Sequence, residues 1–275
     1  KEEAQRKEAF VANFTHEIKT PLTSIIGYAD MIRSRNLSDE TRILAANYIF
    51  SEGMRLETMS MKLFDLLLLN REKLEAVPIN VREWFEEVRE SVKPILAQSN
   101  MTVEIHAERV FIKADPDLLK TAFINMVDNS RKASEQGGKV CLNAYGQAGK
   151  VYLEVQDFGF GIPEEEIRKI TQAFYMVDKS RSRESGDAGL GLALTERIIS
   201  KNGGRLNILS KVGVGTTMQA SFPEFIPGQW EPDEDDELDD MGDMDDVDDL
   251  DDAAAVNAYE TAAHASSDSL EEEMD

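Results

Sequence analysis

Over roughly the first seventy positions, apolar residues return every three or four places. Phe10, Phe14, Ile18, Leu22, Ile25, Ala29 and Ile32 form one such series, and Ala45, Ile49, Leu56, Met59, Leu63 and Leu66 form a second. This spacing predicts two long amphipathic helices, each with one apolar stripe. Between them, residues 35–40 break the pattern with Asn, Ser and Asp, and Ser38 with Thr41 can start the second helix. Glu52 alone breaks the pattern of the second stripe. Two helices with one apolar face each make a poor core. Two hairpins paired into a four-helix bundle bury all four stripes, which predicts a homodimer. The alternative is packing of the hairpin against the chain's own C-terminal part.

After a short polar linker, 73–78, the pattern changes. Helical periodicity at about 81–99, 115–135 and 189–202 is interspersed with alternating, strand-like runs at 101–106, 110–114, 139–145, 151–156, 205–210 and 216–222. Helices grouped with hairpin-capable strands predict an α+β fold, a two-layer α/β sandwich rather than a doubly wound parallel sheet. The expected organisation is a hairpin at 1–72, the linker, a sandwich at 79–226 and a tail at 227–275.

Composition changes this picture in one respect. The 275-residue chain carries a net charge of −23, but 21 of its 53 acidic residues lie between Gln229 and Asp275, where Lys and Arg are absent. The rest balances 32 acids against 30 bases, so the acidity belongs to a tail. With little apolar mass to offset ordering entropy, that tail is expected to be disordered. A calcium loop around Gly242 fails because Met241 supplies no oxygen ligand. The near-neutral body gives no reason to expect nucleic-acid binding. The single cysteine, Cys141, excludes an internal disulfide and a Cys-rich zinc site, and its apolar run reads as a buried structural thiol. No apolar run approaches the ~20 residues of a membrane span. A reducing, cytoplasmic setting is expected. Lys1 in place of Met reads as a piece of a longer protein, compatible with a membrane-anchored sensor region upstream.

Candidate chemistry starts at His16, in the run Phe14–Leu22 (FTHEIKTPL). Helical geometry sets it opposite both Phe14 and Ile18, and so toward solvent. A free imidazole is largely neutral at pH 7 and available as a nucleophile. Glu17 beside it can orient the ring or take its proton. Farther on, Asn125 and Asn129 stand at i and i+4 on one helix face, where neutral carboxamide oxygens can help hold Mg²⁺ beside a triphosphate. Lys132 adds a phosphate-directed ammonium. Asp157 ends an alternating strand and opens DFGFG, where a carboxylate can accept from an adenine amino group while Gly159 and Gly161 let backbone approach the base. Gly189 and Gly191 precede a helix whose start can cradle phosphate, and Thr216 lies in a later glycine turn. His106 and His264 have no supporting constellation in the sequence.

Taken in order, these motifs resemble the histidine kinases of bacterial two-component systems. His16–Leu22 is similar to the histidine box, Asn125–Lys132 to the asparagine box, Asp157–Gly161 to the first glycine box and Phe174 to the phenylalanine box. Gly189–Gly191 and Gly213–Thr216 match the later glycine boxes. The resemblance covers roughly residues 8–225. It implies a dimeric phosphoacceptor hairpin followed by an ATP-binding domain of the gyrase/Hsp90/histidine kinase type. It also implies autophosphorylation of His16 from ATP with Mg²⁺, and phosphotransfer to an aspartate of a response regulator. By the same resemblance Asn129 is the principal Mg²⁺ ligand with Asn125 in support, Lys132 a phosphate contact and Asp157 the adenine reader. Residues 175–188 are the lid, with Lys179, Arg181 and Arg183 facing phosphate charge. Thr20 is at the position that orients water for dephosphorylating the regulator. Ser130, where the family often has Ala, is a small departure. A rival reading is a nucleotide-binding dimeric scaffold that signals by docking alone.

Overall fold

The computed structural model describes residues 2–69, 73–177 and 188–228. The acidic tail beyond Gly228 and the lid cations Lys179, Arg181 and Arg183 lie outside these residues.

Two antiparallel helices open the chain, α1 (Glu2–Ser34) and α2 (Asp39–Leu68). Ser38 caps α2, its Oγ accepting the N–H of Thr41 at 3.3 Å, as the sequence predicts. Tyr28 and Tyr48 stack across the pair with ring centroids 4.8 Å apart.

The second part contains β1 (Val77–Asn80), α3 (Val81–Ala97), β2 (Thr102–Ala107), β3 (Phe111–Ala114), α4 (Pro116–Lys132), β4 (Lys139–Gln147), β5 (Lys150–Asp157), the one-turn α5 (Glu164–Ile167), α6 (Gly191–Lys201), β6 (Arg205–Lys211) and β7 (Gly215–Pro223). Five strands form a sheet in the order β2-β4-β5-β7-β6, parallel only between β2 and β4. This is the α+β sandwich that the grouping of elements predicts. The linker is shorter than expected, because Val77 and Pro78 pair with Ala114 and Lys113 in a small antiparallel sheet of β1 and β3.

Alternation along the strands separates the two faces of the sheet. Val140, Leu142 and Ala144 of β4, Val151, Leu153 and Val155 of β5, and Met218, Ala220 and Phe222 of β7 are buried toward the helices. The helices answer with their own stripes: Val81, Trp84, Phe85, Val88, Val92 and Leu96 from α3, and Leu119, Ala122, Phe123, Met126 and Val127 from α4. Trp84 and Phe85 of α3 join Phe123 of α4, with ring centroids 5.0–5.7 Å apart. Asp115 caps α4 through the N–H groups of Asp117 and Leu118. The buried Asn202 carboxamide accepts the Asp115 N–H at 2.7 Å and donates to the Ile198 carbonyl at 2.9 Å, tying the end of α6 to the start of α4.

The apolar side chains of the hairpin divide between two destinations. Phe10, Phe14 and Ile18 of α1, with Leu56, Met59 and Leu63 of α2, pack on Phe174, Ala188 and Leu190 of the sandwich. That part follows the alternative of packing against the chain's own C-terminal region. Other apolar side chains of the hairpin stay bare, including Leu22, Ile26 (59% exposed), Ile43, Phe50 (70%) and Phe64.

Candidate active site

His16 projects from α1 with its side chain 71% exposed, on the face opposite Phe14 and Ile18. Its Nδ1 lies 3.6 Å from Glu17 Oε1. The other Glu17 oxygen is 3.5 Å from Arg55 Nη2, and Arg55 Nη1 is 3.6 Å from Glu52 Oε2. Arg55 is 9% exposed and Glu17 14%, so this bridge is shielded from water and fixes the carboxylate beside His16. Sequence reasoning missed Arg55. The signal was Glu52, a charge inside an apolar stripe with Arg55 three residues on. Thr20 Oγ1 donates to the His16 carbonyl at 3.3 Å, one turn before Pro21, whose missing N–H leaves α1 one backbone bond short.

The nucleotide-site candidates converge elsewhere. Asn129, Asp157, Gly189, Gly191 and Thr216 line one cavity of about 180 Å³, whose apolar walls include Ile162, Ile170, Ile208 and Met218. Asp157, only 2% exposed, receives the N–H groups of Gly159 (3.0 Å) and Thr216 (3.1 Å), both on Oδ1. Oδ2 is therefore the oxygen available to a ligand. Burial pushes the Asp157 carboxyl above its ordinary value; the two amides and the Ser130 hydroxyl pull partly the other way. Ser130 is wholly buried on α4, and its hydroxyl favours the charged carboxylate.

Asn125, on α4, faces the start of α6: a Cβ added to Gly191 would lie 3.6 Å from Asn125 Oδ1 and 3.7 Å from Lys62 Nζ. Lys62, from the hairpin, is a second cation the sequence reading missed. Lys132 pairs with Asp128 Oδ2 at 2.8 Å, while Arg131 holds Asp128 Oδ1. Burial raises the Asp128 carboxyl, but these two cations outweigh it and hold the group below its ordinary value. The two glycines of DFGFG need a different explanation from the one the sequence suggests. A Cβ on Gly159 would meet the Ala133 carbonyl oxygen at 1.9 Å, and one on Gly161 the Lys211 oxygen at 2.1 Å. What approaches these glycines is the protein's own backbone. His16 does not line the cavity; its helix meets the sandwich through Phe10 and Phe14, 5.3 and 6.1 Å from Phe174.

A cavity closed by a buried carboxylate and a carboxamide, under a mixed sheet backed by helices, defines an ATPase-type sandwich. The family model for histidine kinase-, DNA gyrase B- and HSP90-like ATPases matches residues 114–226, and that for the His kinase A phosphoacceptor domain matches residues 6–72. The sensor histidine kinase WalK of Bacillus subtilis is 31% identical over 229 residues, 80% of this chain and 37% of that protein. The phosphate regulon sensor protein PhoR of Pseudomonas aeruginosa is 31% identical over 227 residues, 79% of this chain and 50% of that protein. The chain thus spans half or less of the length of these two relatives. Among solved structures, the histidine kinase ThkA in complex with the response regulator protein TrrA has the same fold, with a TM-score of 0.66 over 82% of this chain and 65% of that one, at 24% identity. The chain belongs to the two-component sensor histidine kinases, as a core of phosphoacceptor hairpin and ATPase domain. No helix among the described residues is long and apolar enough to cross a membrane.

Proposed function

We propose that this core transfers the γ-phosphoryl group of ATP to His16 and passes it to an aspartate of a response regulator. The observation that carries this reading is the gathering of Asn129, Asp157, Gly189, Gly191 and Thr216 around one cavity, in a chain that exposes His16 on its phosphoacceptor helix. Asp157 Oδ2 accepts the adenine amino group, and the start of α6 meets the phosphates with its backbone amides. The donor set fits a hard cation: Asn129, with Asn125 beside it, would hold the Mg²⁺ that offsets the triphosphate charge. An imidazole nitrogen of His16 attacks the γ-phosphorus, ADP leaves, and Glu17, braced by Arg55, orients the ring. Phe174 must release α1, or the sandwich must serve the twin's histidine, for the two sites to meet. The bare residues Ile26, Ile43, Phe50 and Phe64 supply the faces for a homodimeric four-helix bundle. Thr20 holds the water that hydrolyses the regulator's aspartyl phosphate. ATP dependence sets this chemistry in the cytoplasm.

Incubation with γ-labelled ATP and Mg²⁺ should give protein-bound label that survives base and is lost in acid. His16→Gln should lose it while retaining nucleotide. Acid-labile label persisting in that variant would refute the assignment, and absence of label in the parent would favour the docking scaffold. Thr20→Ala should label normally but dephosphorylate the regulator more slowly.

A further inference from the structure

The parallel register of β2 on β4 sets Glu104 opposite Cys141 and His106 opposite Asn143. Side chains alternate across a sheet, so Glu104, His106 and Cys141 share the face turned away from the helices. Cys141 Sγ lies 3.8 Å from Glu104 Oε2, His106 Nε2 lies 3.7 Å from the same oxygen, and one ligand atom from each residue falls within 4.8 Å of the others. A thiol, an imidazole and a carboxylate thus converge on one point, outside the lining of the nucleotide cavity.

We propose that Glu104, His106 and Cys141 form a site for a borderline-soft divalent cation, Zn²⁺ in the cell. The donor set decides the class of ion. Mg²⁺ and Ca²⁺ prefer oxygen throughout, whereas Zn²⁺ takes sulfur, nitrogen and oxygen together. Bond lengths of about 2.0–2.3 Å to a tetrahedral ion set neighbouring ligand atoms roughly 3.3–3.6 Å apart. The two separations to Glu104 exceed this by a few tenths of an ångström and the thiol and imidazole lie within 4.8 Å of each other, so rotations of the Glu104 and His106 side chains must close the site. Three protein ligands leave a fourth position for water.

Two groups compete with the ion. Lys139 Nζ lies 2.9 Å from Glu104 Oε2 and must leave that oxygen, which its exposed, flexible stem permits. The Cys141 thiol must lose its proton to solvent. The bound cation has to supply the driving force for that deprotonation.

The test is Co²⁺ titration of the whole, reduced, metal-stripped chain, without nucleotide, followed by absorption. Cys141 is the only cysteine of the sequence, so a thiolate-to-cobalt charge-transfer band can come from no other residue, and the acidic stretch after Gln229 cannot mimic it. We expect one equivalent of Co²⁺ to give that band and Zn²⁺ to displace it. Cys141→Ser should abolish it. His106→Ala and Glu104→Gln, both outside the hydrophobic core, should each weaken cobalt binding about tenfold or more. Lys139→Ala, which removes the competitor, should strengthen it. Absence of the thiolate band at saturating Co²⁺ overturns the proposal. So does a band whose affinity is unchanged in both His106→Ala and Glu104→Gln, since the thiol would then act without them.

Discussion

Replacing Asp157 by Asn tests the nucleotide site at its most buried charge. The change keeps shape and size, and Asn Oδ1 can still accept the N–H groups of Gly159 and Thr216, so the loop geometry should survive. Two consequences of opposite sign follow. Burial raises the folded-state pKa of Asp157 above its ordinary value of 3.8, so between the unfolded and folded values the folded state binds more protons. Stability therefore falls as pH rises through that window, and at neutral pH the ionised carboxylate costs folding energy that a carboxamide does not. The variant should melt higher than the parent at pH 7, with a difference that shrinks as the pH falls. Binding moves the other way. The oxygen that faces the cavity becomes an NH₂ donor opposed to the adenine amino group. Losing a hydrogen bond to a charged acceptor costs about 1.5–3 kcal/mol, roughly a tenfold to hundredfold loss of ATP affinity. Inosine triphosphate presents a carbonyl at that position, so the variant should favour it over ATP relative to the parent. Competition of both nucleotides against a fluorescent ATP analogue measures the ratio. An unchanged ATP-to-ITP preference would refute the role of Asp157 as adenine reader.

Gly159→Ala should cost about 1–3 kcal/mol of stability, because its Cβ meets the Ala133 carbonyl at 1.9 Å, and thermal melting with and without nucleotide measures it. Asp128→Asn should destabilise the protein at neutral pH but not in acid. The folded pKa of Asp128 is lowered by Lys132 and Arg131, so its contribution is present above the ordinary 3.8 and lost as pH falls through the folded value; melting curves from pH 3 to 7 would reveal the trend. Arg55→Met leaves the Glu17 and Glu52 carboxylates without their cation and should cost up to about 3–5 kcal/mol and slow autophosphorylation. Adding Glu52→Gln should restore stability, and failure to do so would show that Arg55 acts through packing.

The sequence by itself determined whatever depends on neighbours along the chain. The 3–4 spacing of Phe10, Phe14 and Ile18 marked a helix, the alternation of Val151, Leu153 and Val155 marked a strand, and Ser38 marked a cap, because local backbone geometry repeats with a fixed period. His16 faced solvent by the same rule. The tertiary structure decided what depends on which elements become neighbours. Part of the hairpin stripe is covered by Phe174 and Leu190, while Leu22 of the same stripe is bare, and periodicity cannot distinguish the two. Arg55 reaches Glu17 only because α1 and α2 run antiparallel in this register. Gly159 is glycine because the end of α4 presses on it, a contact that no local pattern of DFGFG encodes. Glu104, His106 and Cys141 became a constellation only through parallel pairing of β2 with β4, since a strand of period two fixes the face of a side chain but leaves its partner to the order of strands.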